Sequence, residues 1–207
     1  MADSAYSLGF ANYDMTPGEH ICAFYETPQE QMEVAVPYAR VGLRHRQRVV
    51  FLGRERVALA LQGSLAAEGL AVHQLVMHGD LLCVCREAAF RPRGVVDPAA
   101  IIGLAKQIMR DSLAGGWPLV RFIGDYGWLL DNEAQISRWL SYEARADRQV
   151  AGWPSLALRL YDRTRLPDAF RLRLLHTHTV VAEGSDLRTN HLVLPPDTFQ
   201  TTTRRLD

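Results

Sequence analysis

Lysine is nearly missing from this 207-residue chain: Lys106 is the only one among 23 basic residues, and it falls inside a helical pattern rather than at a turn. A phosphate loop needs glycines whose backbone N–H groups wrap the phosphates, a lysine for the terminal phosphates and a Ser/Thr hydroxyl for Mg²⁺. No glycine, no lysine and no Lys-Ser/Thr pair stands where the first strand meets the first helix, which reads Tyr25-Glu26-Thr27-Pro28-Gln29-Glu30-Gln31. ATP is therefore not expected as a cofactor. Cysteine is also scarce, and Cys22, Cys83 and Cys85 form an odd set with no secretion signal, which points to free thiols. No apolar run reaches the ~18 residues of a membrane span, and Met1-Ala2-Asp3-Ser4-Ala5 lacks a basic start and an apolar leader. A cytoplasmic protein without membrane contact is expected. Excess charge is absent too, with 23 basic against 23 acidic residues. A DNA or RNA partner, which calls for a basic face, is not expected.

Strands and helices alternate along the chain. Ile21 to Tyr25 reads as an apolar strand, and Thr27, Pro28 and Glu30 supply an N-cap, a first-turn proline and a capping-box acid for a helix to Arg44. That helix N-terminus is taken up by its own side chains, with the Glu26 carboxylate placed where a phosphate would sit. Arg48 to Leu52 is the next strand, Val57 to Glu68 a helix closed by Gly69, and Leu81 to Cys85 a third strand. Asp97-Pro98 caps a helix through Ala114, and Leu119 to Ile123 is a strand followed by the loop Gly124-Asp125-Tyr126-Gly127-Trp128. Glu133 to Arg148 is helical, Leu156 to Tyr161 a strand and Pro167 to His176 a short helix, with terminal strands at Thr179 to Ala182 and Leu192 to Leu194. The pattern predicts an α/β fold of three layers around a mainly parallel sheet. Residues 1–17 read as a loose N-terminal extension, 18–183 as the folded domain and 184–207 as a C-terminal strand and tail.

The stretch Gly18-Glu19-His20-Ile21-Cys22-Ala23-Phe24-Tyr25-Glu26 with Glu30-Gln31 and Gly42-Leu43-Arg44 resembles the opening of the MEDS domain, the sensory domain of methanogen and methylotroph regulators of the dichloromethane-regulator type. Further along, Gly124-Asp125 with Trp128-Leu129, Tyr142-Glu143-Ala144-Arg145, Tyr161-Asp162-Arg163-Thr164-Arg165-Leu166-Pro167 and Leu175-His176-Thr177-His178 are similar to later motifs of that family. Two departures stand out: Asp125 replaces a glutamate and Thr179 replaces a proline. The resemblance implies a degenerate relative of RecA/KaiC-type ATPases without a phosphate loop. It further implies that the first strand lies beside the strand ending at Tyr161, with the strand ending at Ile123 one place further out.

On that layout Tyr25, Glu26, Asp125, Tyr126, Trp128, Tyr161, Asp162 and Arg163 gather beyond the carboxyl ends of the central strands, where open α/β sheets bind ligands. Aromatics and acids dominate this set, which suits a small neutral, cationic or apolar ligand better than a nucleotide; the alternative is that the same residues only close the top of the sheet. Facing carboxylates there would raise one another's pKa. His20 with Cys22, and Cys83 with Cys85, each present two soft ligands to one side of a strand. A metal, haem or redox role requires the pairs to meet, which the implied strand order opposes. His45, His73, His78 and His191 lie in polar surroundings, and His176 and His178 fall at a helix end where a cation favours the dipole. Asp125 or Glu143 could act as a general base, but no nucleophile elbow, triad order or metal motif accompanies them, so no enzyme is expected. The expectation is a sensory unit that binds a small molecule and signals to a protein partner or to a second copy in transcriptional or kinase-linked regulation. The alternatives are a protein-interaction scaffold descended from an inactive ATPase, and a metal or redox sensor.

Overall fold

Apolar residues occupy nearly every position of stretches such as Ile21–Phe24 and Val49–Leu52 because the sheet they build is covered on both faces. The computed structural model describes residues 5–85, 95, 97–127, 138–139, 143 and 152–194. A short ribbon of β1 (Tyr6–Ser7) and β2 (Asp14–Met15) comes first. Then follow β3 (His20–Tyr25), α1 (Pro28–Arg44), β4 (Arg48–Leu52), α2 (Glu55–Ala67), α3 (Val72–His78) and β5 (Leu81–Val84). The second half carries α4 (Pro98–Ala114), β6 (Val120–Asp125), β7 (Ser155–Asp162), α5 (Asp168–Leu175), β8 (Val180–Glu183) and β9 (Asp186–Thr189). Seven strands form one sheet in the order β5-β4-β6-β7-β3-β8-β9, parallel throughout except for the β8–β9 hairpin. The strand ending at Tyr25, β3, thus lies beside β7 with β6 one place further out, the arrangement expected from the resemblance.

Alternation along each strand sorts the side chains into two cores. Ile21, Ala23 and Tyr25 of β3 join Leu156, Leu158 and Leu160 of β7 under α1 and α2. Cys22 and Phe24 join Tyr161, Phe170 and the α4 residues Ile101, Ile102, Ile108 and Met109 on the opposite face. Three layers result. Caps fix the helix starts: Thr27 Oγ1 accepts from the Glu30 N–H at 3.1 Å, and the Glu30 carboxylate accepts from the Glu26 N–H at 2.8 Å. Asp97 likewise accepts from the Ala99 and Ala100 N–H groups at the start of α4.

Several expectations are corrected. Gly124 and Asp125 belong to β6 rather than to a loop, because β7 continues alongside and pairs them through Arg159 and Leu160. Helix α3 was not foreseen, and the last strand is Asp186–Thr189 rather than Leu192–Leu194. The N-terminal segment is not loose: Leu8 and Met15 are fully buried, and the Ser7 carbonyl accepts from Arg121 Nη2 at 2.8 Å. The helix expected at Glu133 to Arg148 lies outside the described residues apart from Arg138, Trp139 and Glu143, which are helical.

Candidate functional site

The carboxyl ends of β3, β4 and β7 open into a cleft of about 170 Å³ between α1 and α2. Tyr25, Glu26 and Asp162 come from the strand ends, Pro28, Gln31 and Met32 from the start of α1, and Arg56, Val57 and Ala60 from α2. Arg54 lies at the floor. Its guanidinium meets Asp125 twice, Nε to Oδ2 at 2.6 Å and Nη2 to Oδ1 at 2.7 Å, and Nη2 also donates to the Tyr25 hydroxyl at 3.2 Å. Asp125 is fully buried and further accepts from Gln31 Nε2 at 3.2 Å and from the Arg54 N–H at 3.3 Å.

These bonds saturate the carboxylate, so Asp125 acts as a bolt that ties α1 and the β4–α2 turn to the end of β6. Gly53 makes the approach possible, since a Cβ there would sit 2.7 Å from the Asp125 Cβ. The bonds to Asp125 favour the charged Arg54 further, and burial together with the Asp125 charge pushes the Tyr25 phenol upward, leaving it neutral. At the rim Glu26 pairs with Arg163 at 3.3 Å, and Arg163 also reaches Glu183 at 3.6 Å. Asp162 accepts from the Thr164 N–H and hydroxyl, closing the turn after β7.

The other face of the sheet holds a buried polar network. Arg159, on β7, forms an ion pair with Glu143, and its Nη1 lies 3.3 Å from His178 Nε2. The Tyr161 hydroxyl donates to Glu143 at 2.6 Å and accepts from Trp139 Nε1 at 2.8 Å. Because Arg159 can only donate, His178 Nε2 is the acceptor and Nδ1 carries the proton, which it gives to the Leu174 carbonyl at 2.8 Å. Burial and the adjacent Arg159 charge lower the His178 pKa to about 3. The ring of His20 meets that of His178 edge-on at 4.5 Å, and burial lowers His20 as well.

The expected ligand residues therefore do not form one cluster. Tyr25, Glu26 and Asp162 line the cleft, Asp125 lies beneath it, and Arg163 stands at the rim beside Glu26. Tyr126 and Tyr161 face the opposite core, where they stack with centroids 5.4 Å apart. Trp128 lies outside the described residues. The expectation of facing carboxylates fails because Asp125 is turned to Arg54, and Arg54 and Arg56 bring cations to a site read as mainly aromatic and acidic. His178 is not a cation at a helix end but a neutral ring in the core. The thiol pairs do not meet: Cys22 faces the α4 side, whereas Cys83 and Cys85 pack on the α1 side, with β5 at the sheet edge. Burial raises all three thiols, Cys83 to about 11. Among the described residues no group of three or more His, Cys, Asp or Glu side chains could hold a metal, and no helix is long and apolar enough to cross a membrane.

Arg54 and Arg159 are the residues that sequence reasoning missed. Arg159 had a signal, since a charge inside Leu156-Ala157-Leu158-Arg159-Leu160 must find a buried partner. Comparison with protein families matches residues 19–179 to MEDS, described as the methanogen/methylotroph, DcmR sensory domain. The chain belongs to this family of sensory domains. No curated protein matches it.

Proposed function

We propose that this MEDS domain is a non-catalytic sensor that takes a small molecule into the cleft between α1 and α2 and reports its presence to a protein partner or a second copy. The observation that carries the reading is the cleft itself. It opens at the carboxyl ends of parallel strands, its floor is fixed by Arg54 and Asp125, and its walls combine apolar Met32, Val57 and Ala60 with the rim carboxylates of Glu26 and Asp162. Sites of this architecture bind ligands there. A small neutral molecule suits these walls, since the Glu26 carboxylate is paired with Arg163 and the lining carries Arg54 and Arg56 alongside Asp162. Thr27, Pro28 and Glu30 occupy the helix start where glycines and a lysine would hold phosphates, which supports descent from a RecA/KaiC-type ATPase that has lost its phosphate loop.

The test is a thermal-shift screen of small amines, methylated compounds and halocarbons on the wild type and on Ala60→Phe, which fills the cleft from an exposed position. A cleft ligand raises the melting temperature of the wild type with concentration and leaves the variant unmoved. A hit that shifts both proteins equally places the site elsewhere, and micromolar binding of Mg·ATP would overturn the loss of nucleotide binding. The scaffold reading draws support from Leu59, Val76 and Met77, apolar side chains exposed on α2 and α3. It gains ground if no compound stabilises the fold while the chain self-associates.

A further inference from the structure

Across the sheet from the cleft is a second, narrower cavity of about 50 Å³, bounded by the sheet on one side and α4 on the other. Phe122, Ala157 and Arg159 line it from the sheet, Ile101 and Ala105 from α4, and Tyr126 from the end of β6. The walls are mainly apolar, with Glu19, His20, Ser155 and Arg159 as their charged or polar members. That side chain is only 5 % exposed, yet its guanidinium uses Nη1 alone in its bonds to Glu143 and His178. Nε and Nη2 have no partner among the described residues. Arg159 therefore brings two uncommitted N–H groups, on Nε and Nη2, to a cavity that it lines.

Geometry sets the class of guest. A water needs roughly 10–15 Å³ of such space, so the cavity takes about four heavy atoms. Glu143 already balances the Arg159 charge, which leaves nothing to offset a buried carboxylate. A carbonyl oxygen, with two lone pairs, can accept from both N–H groups at once. We infer that this cavity is a second binding site, for a neutral molecule of about four heavy atoms with an apolar body and one carbonyl oxygen directed at Arg159: the class of small ketones, aldehydes and amides. The site is separate from the cleft, since the two lie on opposite faces of the sheet and share no lining residue.

Acetone, isobutene and acetate share one trigonal, four-heavy-atom shape and differ in the group offered to Arg159. Each is titrated into the full-length protein while the methyl resonances of Ala105 and Ala157 are followed. Acetone gives saturable shifts at both methyls. Isobutene binds about tenfold more weakly because it displaces water from charged donors without replacing the hydrogen bonds, and acetate binds more weakly because its charge is uncompensated. Ala105→Leu fills the cavity and removes the acetone response at Ala157. Ala157→Val does so from the sheet side, read at Ala105, should the helix variant fail to fold. Ala60→Phe, which blocks only the cleft, leaves acetone affinity unchanged. Absence of saturable shifts overturns the inference. So do isobutene binding as tightly as acetone, acetate binding more tightly, or loss of the response in Ala60→Phe.

Discussion

Arg54 and Asp125 stand 71 residues apart in sequence and meet through two parallel hydrogen bonds of 2.6 and 2.7 Å, with Asp125 fully buried. Such a pair is costly to break from one side, because the remaining charge is left without a partner. Asp125→Asn should lower stability by about 3 kcal/mol, or roughly 6–12 °C in melting temperature for a chain of this size. The double variant Arg54→Met with Asp125→Leu should recover most of that loss. Chemical denaturation of the three proteins checks it; a single-variant cost under about 0.5 kcal/mol would show that the bolt holds nothing.

His178 sets the acid limb of stability. Its folded pKa, about 3, lies below the ordinary histidine value of 6.5, so the unfolded chain binds the extra proton first as pH falls. The contribution is complete above pH 6.5 and is lost progressively down to about pH 3. Between pH 8 and pH 5 this amounts to about 2 kcal/mol of lost stability. His20, lowered in the same way, adds to it with the same sign. The Glu143 carboxylate, 3.8 Å from His178 Nε2, is already engaged by Arg159 and Tyr161. Denaturation curves at several pH values, paired with an NMR titration of the His178 ring, measure both. A ring that titrates near pH 6.5 in the folded protein removes the basis of the prediction.

What the sequence disclosed about this fold followed from local chemistry. The capping box at Thr27 and Glu30, the Asp97-Pro98 start and the apolar strands gave α1, β4 and α4 their observed ranges, because caps and periodicity act within a few residues. Strand order came from the family resemblance and not from any local pattern. The sequence placed Tyr25, Glu26 and Asp162 at the strand ends, where the structure has a cleft, but it did not disclose the bond of Asp125 to Arg54, which only the β4–β6 pairing brings about. The Glu143–Arg159–His178 network was hidden for the same reason: its members come from separate elements, and although Arg159 inside an apolar strand signals a buried partner, nothing local names Glu143 or His178 as that partner.

Thiol reactivity should follow burial. Cys22 is completely buried with its pKa pushed well up, Cys83 is partly covered and accepts from Gln62 Nε2 at 3.4 Å, and Cys85 lies just past the end of β5. Alkylation at pH 8 should modify Cys85 first, Cys83 more slowly and Cys22 only on unfolding, since the thiolate is the reacting form. Peptide mapping over time reads the order. Early modification of Cys22 in folded protein would contradict its placement in the core.

The family match begins at residue 19, yet the segment before it is built into the core. Leu8 is fully buried, and Gly9 holds φ +89° with its missing Cβ position only 2.5 Å from the Pro37 carbonyl oxygen. A side chain at residue 9 would be strained twice over, by the backbone angle and by a collision with main chain that cannot rotate away. Leu8→Ala should cost about 3 kcal/mol through the cavity it leaves, and Gly9→Ala about 2 kcal/mol through strain. Asn12→Ala, exposed on the same segment, should stay within about 0.5 kcal/mol. Equilibrium urea unfolding separates these values. If all three variants match the wild type, the segment is a loose end after all and Arg121 does not depend on the Ser7 carbonyl; if the first two fall as stated, the folded unit of this chain starts well before the family boundary.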